Sequence, residues 1–243
     1  EDIDDVTWFN TAAIGLDRSI IQNQGKETWL AEAKYLQEHI TDEVIQEAFN
    51  DLPKEVREDE STERIKELLK ARRENIVAIA ERYAKHLDKL AIVTATDKDD
   101  YIDVTRLPEG KTNIKIFRNI KGKRKNLFID KTYNKKDTKE IWIYGLDDDD
   151  VFTVTGESNS GNIFLRLIGG QNNDIYNIEN PIKLKIYDHK SKPNTLDNAQ
   201  NAKIRLSDNY EQNIYNKNKK IYSTNVILPG IGYNPDDGLK LGI

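Results

Sequence analysis

The hydrophobic rhythm of the chain changes once, after Ala91, and this change restricts the available folds more than any other feature. Before it, apolar residues recur three or four positions apart, which gathers them on one stripe of a helix. Residues 26–50 read as two helices, with Trp29, Ala33 and Leu36 on one stripe and Val44, Ala48 and Phe49 on the next. Thr41 is the expected N-cap between them, Asp42 and Glu43 add charge that suits a helix start, and Leu52 and Pro53 stop the second helix. A longer helix is expected from Thr62 to about Ala91, with Ile65, Leu69, Arg72, Ile76, Ile79, Tyr83, Leu87 and Leu90 as its seam. Arg72 interrupts that seam and is read as laying its stem along it while its head pairs with a carboxylate.

After Ala91 the period is two, the mark of strands with alternate faces. Strands are expected at Ile92 to Thr96, Tyr101 to Leu107, Asn113 to Asn119, Asn126 to Tyr133, Glu140 to Tyr144, Val151 to Thr155, Ile163 to Ile168, Ile175 to Ile178 and Ile182 to Tyr187. Turn chemistry separates them at Pro108-Glu109-Gly110, Lys121-Gly122-Lys123, Ser160-Gly161-Asn162 and Gly169-Gly170. Residues 188–220 read as a long polar loop with one strand at Lys203 to Leu206, and Ile221 to Leu228 as a further strand. The fold class is therefore α+β, a helical part at 1–91 followed by a β-rich sandwich or solenoid-like domain at 92–215. Residues 216–243 read as a connector, dense in turn residues from Pro229 to Leu239 and ending as if a strand were beginning.

The composition narrows the function classes. With 37% hydrophobic and 33% charged residues and a mean hydropathy of -0.74, the 243 residues have enough apolar material for a core, and no apolar run approaches a membrane-spanning helix. Cysteine is absent, which removes disulfides, thiolate catalysis and cysteine-zinc sites without choosing a redox compartment. Methionine is absent too, so the chain reads as an internal piece of a longer polypeptide. The formal charge is -5 and the basic residues read as spread out, so nucleic acid is not expected as a partner.

Catalytic motifs are missing. His39, His86 and His189 fall in separate elements without the spacing of a metal site, no serine lies in a nucleophile elbow, and no glycine-rich loop ends in Gly-Lys-Ser or Gly-Lys-Thr. One internal similarity stands out: the segment from Gly145 through Asp147, Asp148, Asp149 and Asp150 to Val154 aligns without gaps on Gly169 to Ile178. Both copies run glycine, four turn residues, aspartate, apolar, aromatic, polar, apolar. The second resembles a calcium-binding nonapeptide repeat, with Asn172 in a glycine place and Asp174 as the acid. Two readings stand. The copies are polar turns leading into strands, or they stack so that Asp147, Asp148, Asp149, Asp150, Asn172 and Asp174 supply oxygen and amide ligands to calcium, which would then stabilise the β-rich part.

The order of several short motifs resembles a family. Trp8-Phe9-Asn10, Leu16-Asp17-Arg18, Leu52-Pro53-Lys54-Glu55-Val56, Leu69-Lys70-Ala71-Arg72-Arg73, Thr96-Asp97-Lys98, Thr105-Arg106-Leu107-Pro108, Thr138 to Leu146 and Tyr233 to Leu239 look like the middle region of large bacterial outer-membrane proteins. In that family a calcineurin-like metallophosphoesterase domain often precedes this region and a surface-antigen β-barrel follows it. Asp147 and Asp148 stand where family members tend to have glycines. The resemblance implies a location on the periplasmic face of the outer membrane, with residues 233–243 leading into the first barrel strand.

The expected function is therefore that of a non-catalytic connector and interaction module. Its partners would be its own barrel, a phosphoesterase domain and other envelope proteins. The alternative is a substrate-positioning part of a phosphoesterase whose catalytic domain lies outside this chain. Arg72, Arg73, Arg106 and Lys139 would then be the anion contacts, because guanidinium and ammonium groups suit phosphates.

Overall fold

A computed structural model describes residue 3 and residues 5–21, 25–157, 161–199 and 201–217, together with the backbone of 230–234 and 238–242. The helical part contains α1 (Val6–Phe9), α2 (Ile14–Ile21), α3 (Lys26–His39), α4 (Asp42–Asn50), α5 (Lys54–Arg57) and α6 (Glu60–Asp88). Thr41 caps α4 as expected, its side chain accepting the Val44 N–H. Pro53, expected only to stop a helix, also sits at the N-cap of α5 and so starts the next.

The long α6 buries a different stripe from the expected one over its first half. Thr62 and Lys66 are buried there, whereas Ile65 and Leu69 are 45% and 38% exposed. Arg72 is exposed as well, and the carboxylate pairing falls on its neighbour Arg73, which donates to the Ile40 carbonyl and to Asp42 at 2.7 Å. The first half lies beside α4, where Lys66 sits 5.5 Å from the Phe49 ring centre, and the second half meets the larger apolar surface. There Tyr83 and Leu87 pack with Val6 and Trp29, the Trp29 and Tyr83 rings meeting edge to face at 5.4 Å.

The β-rich part is a coil of strands that alternate between two sheets. In chain order the strands are β1 (Leu90–Thr94), β2 (Asp100–Leu107), β3 (Lys111–Ile120), β4 (Lys123–Asn134), β5 (Glu140–Leu146), β6 (Val151–Gly156), β7 (Phe164–Gly170), β8 (Ile175–Ile178), β9 (Leu184–Asp188), β10 (Thr195–Asn198) and β11 (Lys203–Leu206). One sheet runs β1-β5-β7-β9-β11 and the other β10-β8-β6-β2-β3-β4. Every pairing is parallel except those of β2 with β3 and β3 with β4. The two readings of the sequence thus resolve in favour of the solenoid: each coil crosses once through each sheet, and the β3–β4 ribbon is inserted into the first coil.

Parallel stacking places equivalent residues one above another, so the alternation of each strand becomes a ladder through the core. Ala91, Ile141, Leu165 and Leu184 form one such ladder, and Val93, Ile143, Leu167 and Ile186 a second. Across from them Ile102, Phe152 and Tyr176 stack, the last two with rings 5.0 Å apart and nearly parallel. All but Ala91 are buried, most of them to complete exclusion of solvent.

The stretch expected to be a long loop contains β10 and a short helix, α7 (Tyr210–Asn213), besides the expected β11. These pieces are too short and polar to show a period. Beyond α7, Tyr215 packs on Tyr144 at 5.3 Å and covers part of the outer face of the first sheet. Two further strands, β12 (Gly230–Asn234) and β13 (Gly238–Gly242), pair antiparallel with each other. The strand expected at 221–228 lies outside the described residues.

Candidate functional site

The aligned repeat of the sequence becomes one corner of the coil, where the first sheet hands the chain to the second. The register Tyr101, Val151, Ile175, Thr195 runs across β2, β6, β8 and β10. The residue before each is Asp100, Asp150, Asp174 or Asn194. Their side chains form a continuous chain of hydrogen bonds along the stack. The Asp100 N–H donates to Asp150 Oδ1 at 2.8 Å, the Asp150 N–H to Asp174 Oδ1 at 2.9 Å, and the Asp174 N–H to Asn194 Oδ1 at 2.8 Å. Asp150, Asp174 and Asn194 each thus satisfy an amide that the turn would otherwise leave buried without a partner.

The second carboxyl oxygens point inward. Asp150 Oδ2 and Asp174 Oδ2 are buried and accept no hydrogen bond. They occupy room that glycine leaves free. A β-carbon on Gly145 would stand 2.2 Å from Asp150 Oδ2 and 2.4 Å from the Gly169 carbonyl oxygen. One on Gly169 would stand 2.2 Å from Asp174 Oδ2, 2.4 Å from the Tyr176 hydroxyl and 2.6 Å from Asp188 Oδ2. The Tyr176 hydroxyl itself donates to Asp188 Oδ2 at 2.7 Å. The glycines of the repeat are required here by close approach of oxygen.

Charge is costly in this setting, and the acids respond by holding their protons. Burial, then the Asp174 carboxyl, push Asp150 up to about 10. Burial, then Asp188, push Asp174 up to about 8, and burial raises Asp188 as well. Burial raises Asp100 too, against the bonds that Thr96 and Arg118 make to its carboxylate.

The six expected metal ligands are therefore divided. Asp150 and Asp174 are brought together in the inner ladder, as the aligned turns implied. Asp147, Asp148 and Asp149 face outward: Asp148 pairs with Lys98 at 3.2 Å, Asp149 Oδ1 accepts the Asn173 N–H, and Asp147 Oδ1 accepts from Asn172. Asp148 adopts the left-handed backbone that a glycine would favour, at φ 60°. Among the described residues no group of three or more histidine or carboxylate side chains is placed to hold a metal ion.

The opposite corner has the reverse polarity. Arg106 is buried, donates to the carbonyls of Ile163 at 3.1 Å and Ile182 at 2.6 Å, and is lowered to about 10 by burial. Asn162 and Asn180 bond the Glu157 carbonyl beside it. The expected anion contacts do not converge. Arg106 is spent on main-chain oxygens, Arg73 on Asp42 along α6, and Lys139 on the Lys135 carbonyl, while Arg72 is exposed on α6.

The reading of the basic residues as spread out needs correction. From Lys111 to Ile129 there are seven lysines and arginines and no acid, and β3 and β4 carry nearly all of that stretch. The signal was present as a local absence of Asp and Glu, which a whole-chain charge conceals. Comparison of the chain with family models, with curated proteins and with solved structures found no match.

Proposed function

We propose that the chain is a non-catalytic connector and interaction module, in which the coil stack is a stiff body joining a helical cap to whatever follows α7. The observation that supports this most is where the buried polar side chains go. At one corner Asp100, Asp150, Asp174 and Asn194 are tied to one another's amides, and at the other Arg106, Asn162 and Asn180 are tied to carbonyls. These are groups that hold coils in register and leave none of themselves facing a substrate. A cleft lined by Trp29 and Leu87 from the helices and Leu90 and Tyr133 from the strands marks where the cap meets the first coil.

Its place at the periplasmic face of the outer membrane, between a phosphoesterase domain and a barrel, is proposed from the order of motifs alone. Among the described residues no helix is long and apolar enough to cross a membrane. The test is to measure phosphodiester hydrolysis and outer-membrane fractionation on the intact gene product and on one lacking residues 1–243. A connector leaves turnover per folded enzyme domain unchanged and alters only assembly or partner capture. Loss of turnover with normal assembly would instead make the chain a substrate-positioning element. Absence of amphipathic strands of about 10 residues downstream would remove the barrel from the proposal.

A further inference from the structure

The β3–β4 ribbon extends the second sheet beyond the first coil, and its tip is unlike the rest of the surface. The run from Lys111 to Ile129 carries seven cations and no carboxylate in a chain of net charge -5. Four of the cations are matched by acids from outside that run: Lys111 by Glu109, Lys115 by Asp130, Arg118 by Asp100 and Arg124 by Asp103. Lys121, Lys123 and Lys125 have no ion pair among the described residues, and all three are exposed at the tip.

Apolar side chains share that tip. Ile120, Leu127 and Phe128 are 44%, 47% and 41% exposed, within a stretch, 120–128, in which every residue is exposed. Two bulges fall within this stretch. The register Ile116 to Ile129, Phe117 to Leu127, Arg118 to Lys125 leaves Asn126 and Phe128 without opposite residues on β3. Lys121 and Gly122 close the ribbon in a tight turn at φ 53° and 73°.

The tip is held in shape before any partner arrives. The Gly122 N–H donates to Asn119 Oδ1 at 3.0 Å, and the Tyr101 hydroxyl to the Gly122 carbonyl at 3.2 Å. Arg124 lies 4.3 Å from the Tyr101 ring centre while it forks onto both oxygens of Asp103. Because Arg118 pairs with Asp100 at the first residue of β2, the following residues project past the end of that strand. Lys121 stands three residues, about 10 Å, beyond Arg118, and Lys123 and Lys125, on β4 opposite Ile120 and Arg118, are separated from Asp100 by β3.

We propose that the β3–β4 tip docks the chain on an anionic bilayer surface, with Lys121, Lys123 and Lys125 among the headgroups and Ile120, Leu127 and Phe128 set at the headgroup boundary. Ammonium point charges beside exposed apolar side chains match that interface in both respects. Nucleic acid is the less suitable partner, because its bases and phosphates are read best by arginine forks, and both arginines of the tip are engaged by Asp100 and Asp103. The contact does not depend on the connector reading, since a chain joined to no barrel would bind the same vesicles.

The test is co-sedimentation of residues 1–243 with vesicles of phosphatidylcholine and with vesicles containing about a third phosphatidylglycerol, at about 0.15 M salt. Binding to the anionic vesicles only is expected, weakening as salt rises. At roughly tenfold per lysine at most, K121Q/K123Q/K125Q should lose on the order of a hundredfold in affinity with an unchanged melting midpoint. L127S/F128S should bind more weakly while keeping the salt dependence. Equal binding to neutral vesicles, an unaffected glutamine variant, or tighter binding of duplex DNA than of anionic vesicles at the same salt would overturn the proposal. Should the triple variant fail to fold, K123Q alone supplies the same comparison.

Discussion

The two corners of the coil solve one problem with opposite chemistry. Where the first sheet passes into the second, amides need acceptors, and carboxyls that keep their protons supply them; where the second passes back, carbonyls need donors, and a buried guanidinium with two amides supplies those. The arginine remains charged across the working range of pH. The aspartates are neutral only while the pH stays below their raised values, so the two corners should respond differently to the same titration.

The largest effect is expected from Arg106→Ala, which empties a buried site and leaves the carbonyls of Ile163 and Ile182 without donors. A loss of about 3–5 kcal/mol in urea unfolding is expected, the same at pH 5 as at pH 8. A loss that grew or shrank with pH would mean that the arginine is coupled to the acid corner. Gly169→Ala comes next, at about 1–3 kcal/mol, since its β-carbon meets three oxygens in a packed corner. Serine at Gly122, by contrast, has nothing within 4 Å to meet and tests only the turn.

Asp150→Asn and Asp174→Asn should separate the corners by pH. Both acids have folded values above the ordinary 3.8, so their contribution is fully present below about pH 4 and is lost as the pH rises, through about 8 for Asp174 and about 10 for Asp150. Each removes at most about 1.4 kcal/mol per pH unit within its window. Asparagine keeps the acceptor oxygen, as Asn194 does in the next coil, and cannot ionise. The variants are therefore expected to melt progressively above the parent between pH 5 and 8, and parallel melting profiles would show that the acids are already ionised. A cation reaches this corner only by displacing protons, so millimolar calcium should leave the midpoint unmoved at pH 5. A shift there, measured against chelator, would put the ligands among the outer aspartates. The smallest effect belongs to Lys98→Ala, which removes the exposed pair with Asp148 without touching the left-handed turn and is worth within about 0.5 kcal/mol.

Much of the β-rich part was legible because its strands alternate strongly, and every expected strand from Tyr101 to Tyr187 has an observed counterpart. The alignment of Gly145 to Val154 on Gly169 to Ile178 corresponds to the true register of β6 on β8. What it missed was the rest of the ladder. Asp99-Asp100-Tyr101-Ile102 and Pro193-Asn194-Thr195-Leu196 belong to the same corner, but the ribbon places the first 50 residues before Val151 and a shorter turn places the last 20 after Ile175, which breaks the period. The helical part was less legible in its packing. Ile65 and Leu69 keep the spacing of a buried seam, yet only the C-terminal half of α6 has the apolar surface of Val6 and Trp29 to meet. Periodicity tells which face is apolar and not whether anything covers it.

Parallel pairing through β1, β5, β7, β9 and β11 also makes the protein a ruler. Neighbouring strands stand about 4.8 Å apart, so the four intervals between the first and last strands of that sheet set a length near 19 Å. Because the ribbon enters the first coil without disturbing the register of β5 on β1 or of β6 on β2, material added between strands does not alter that length. Only a whole extra turn of the chain would, and it would do so in a single graduation.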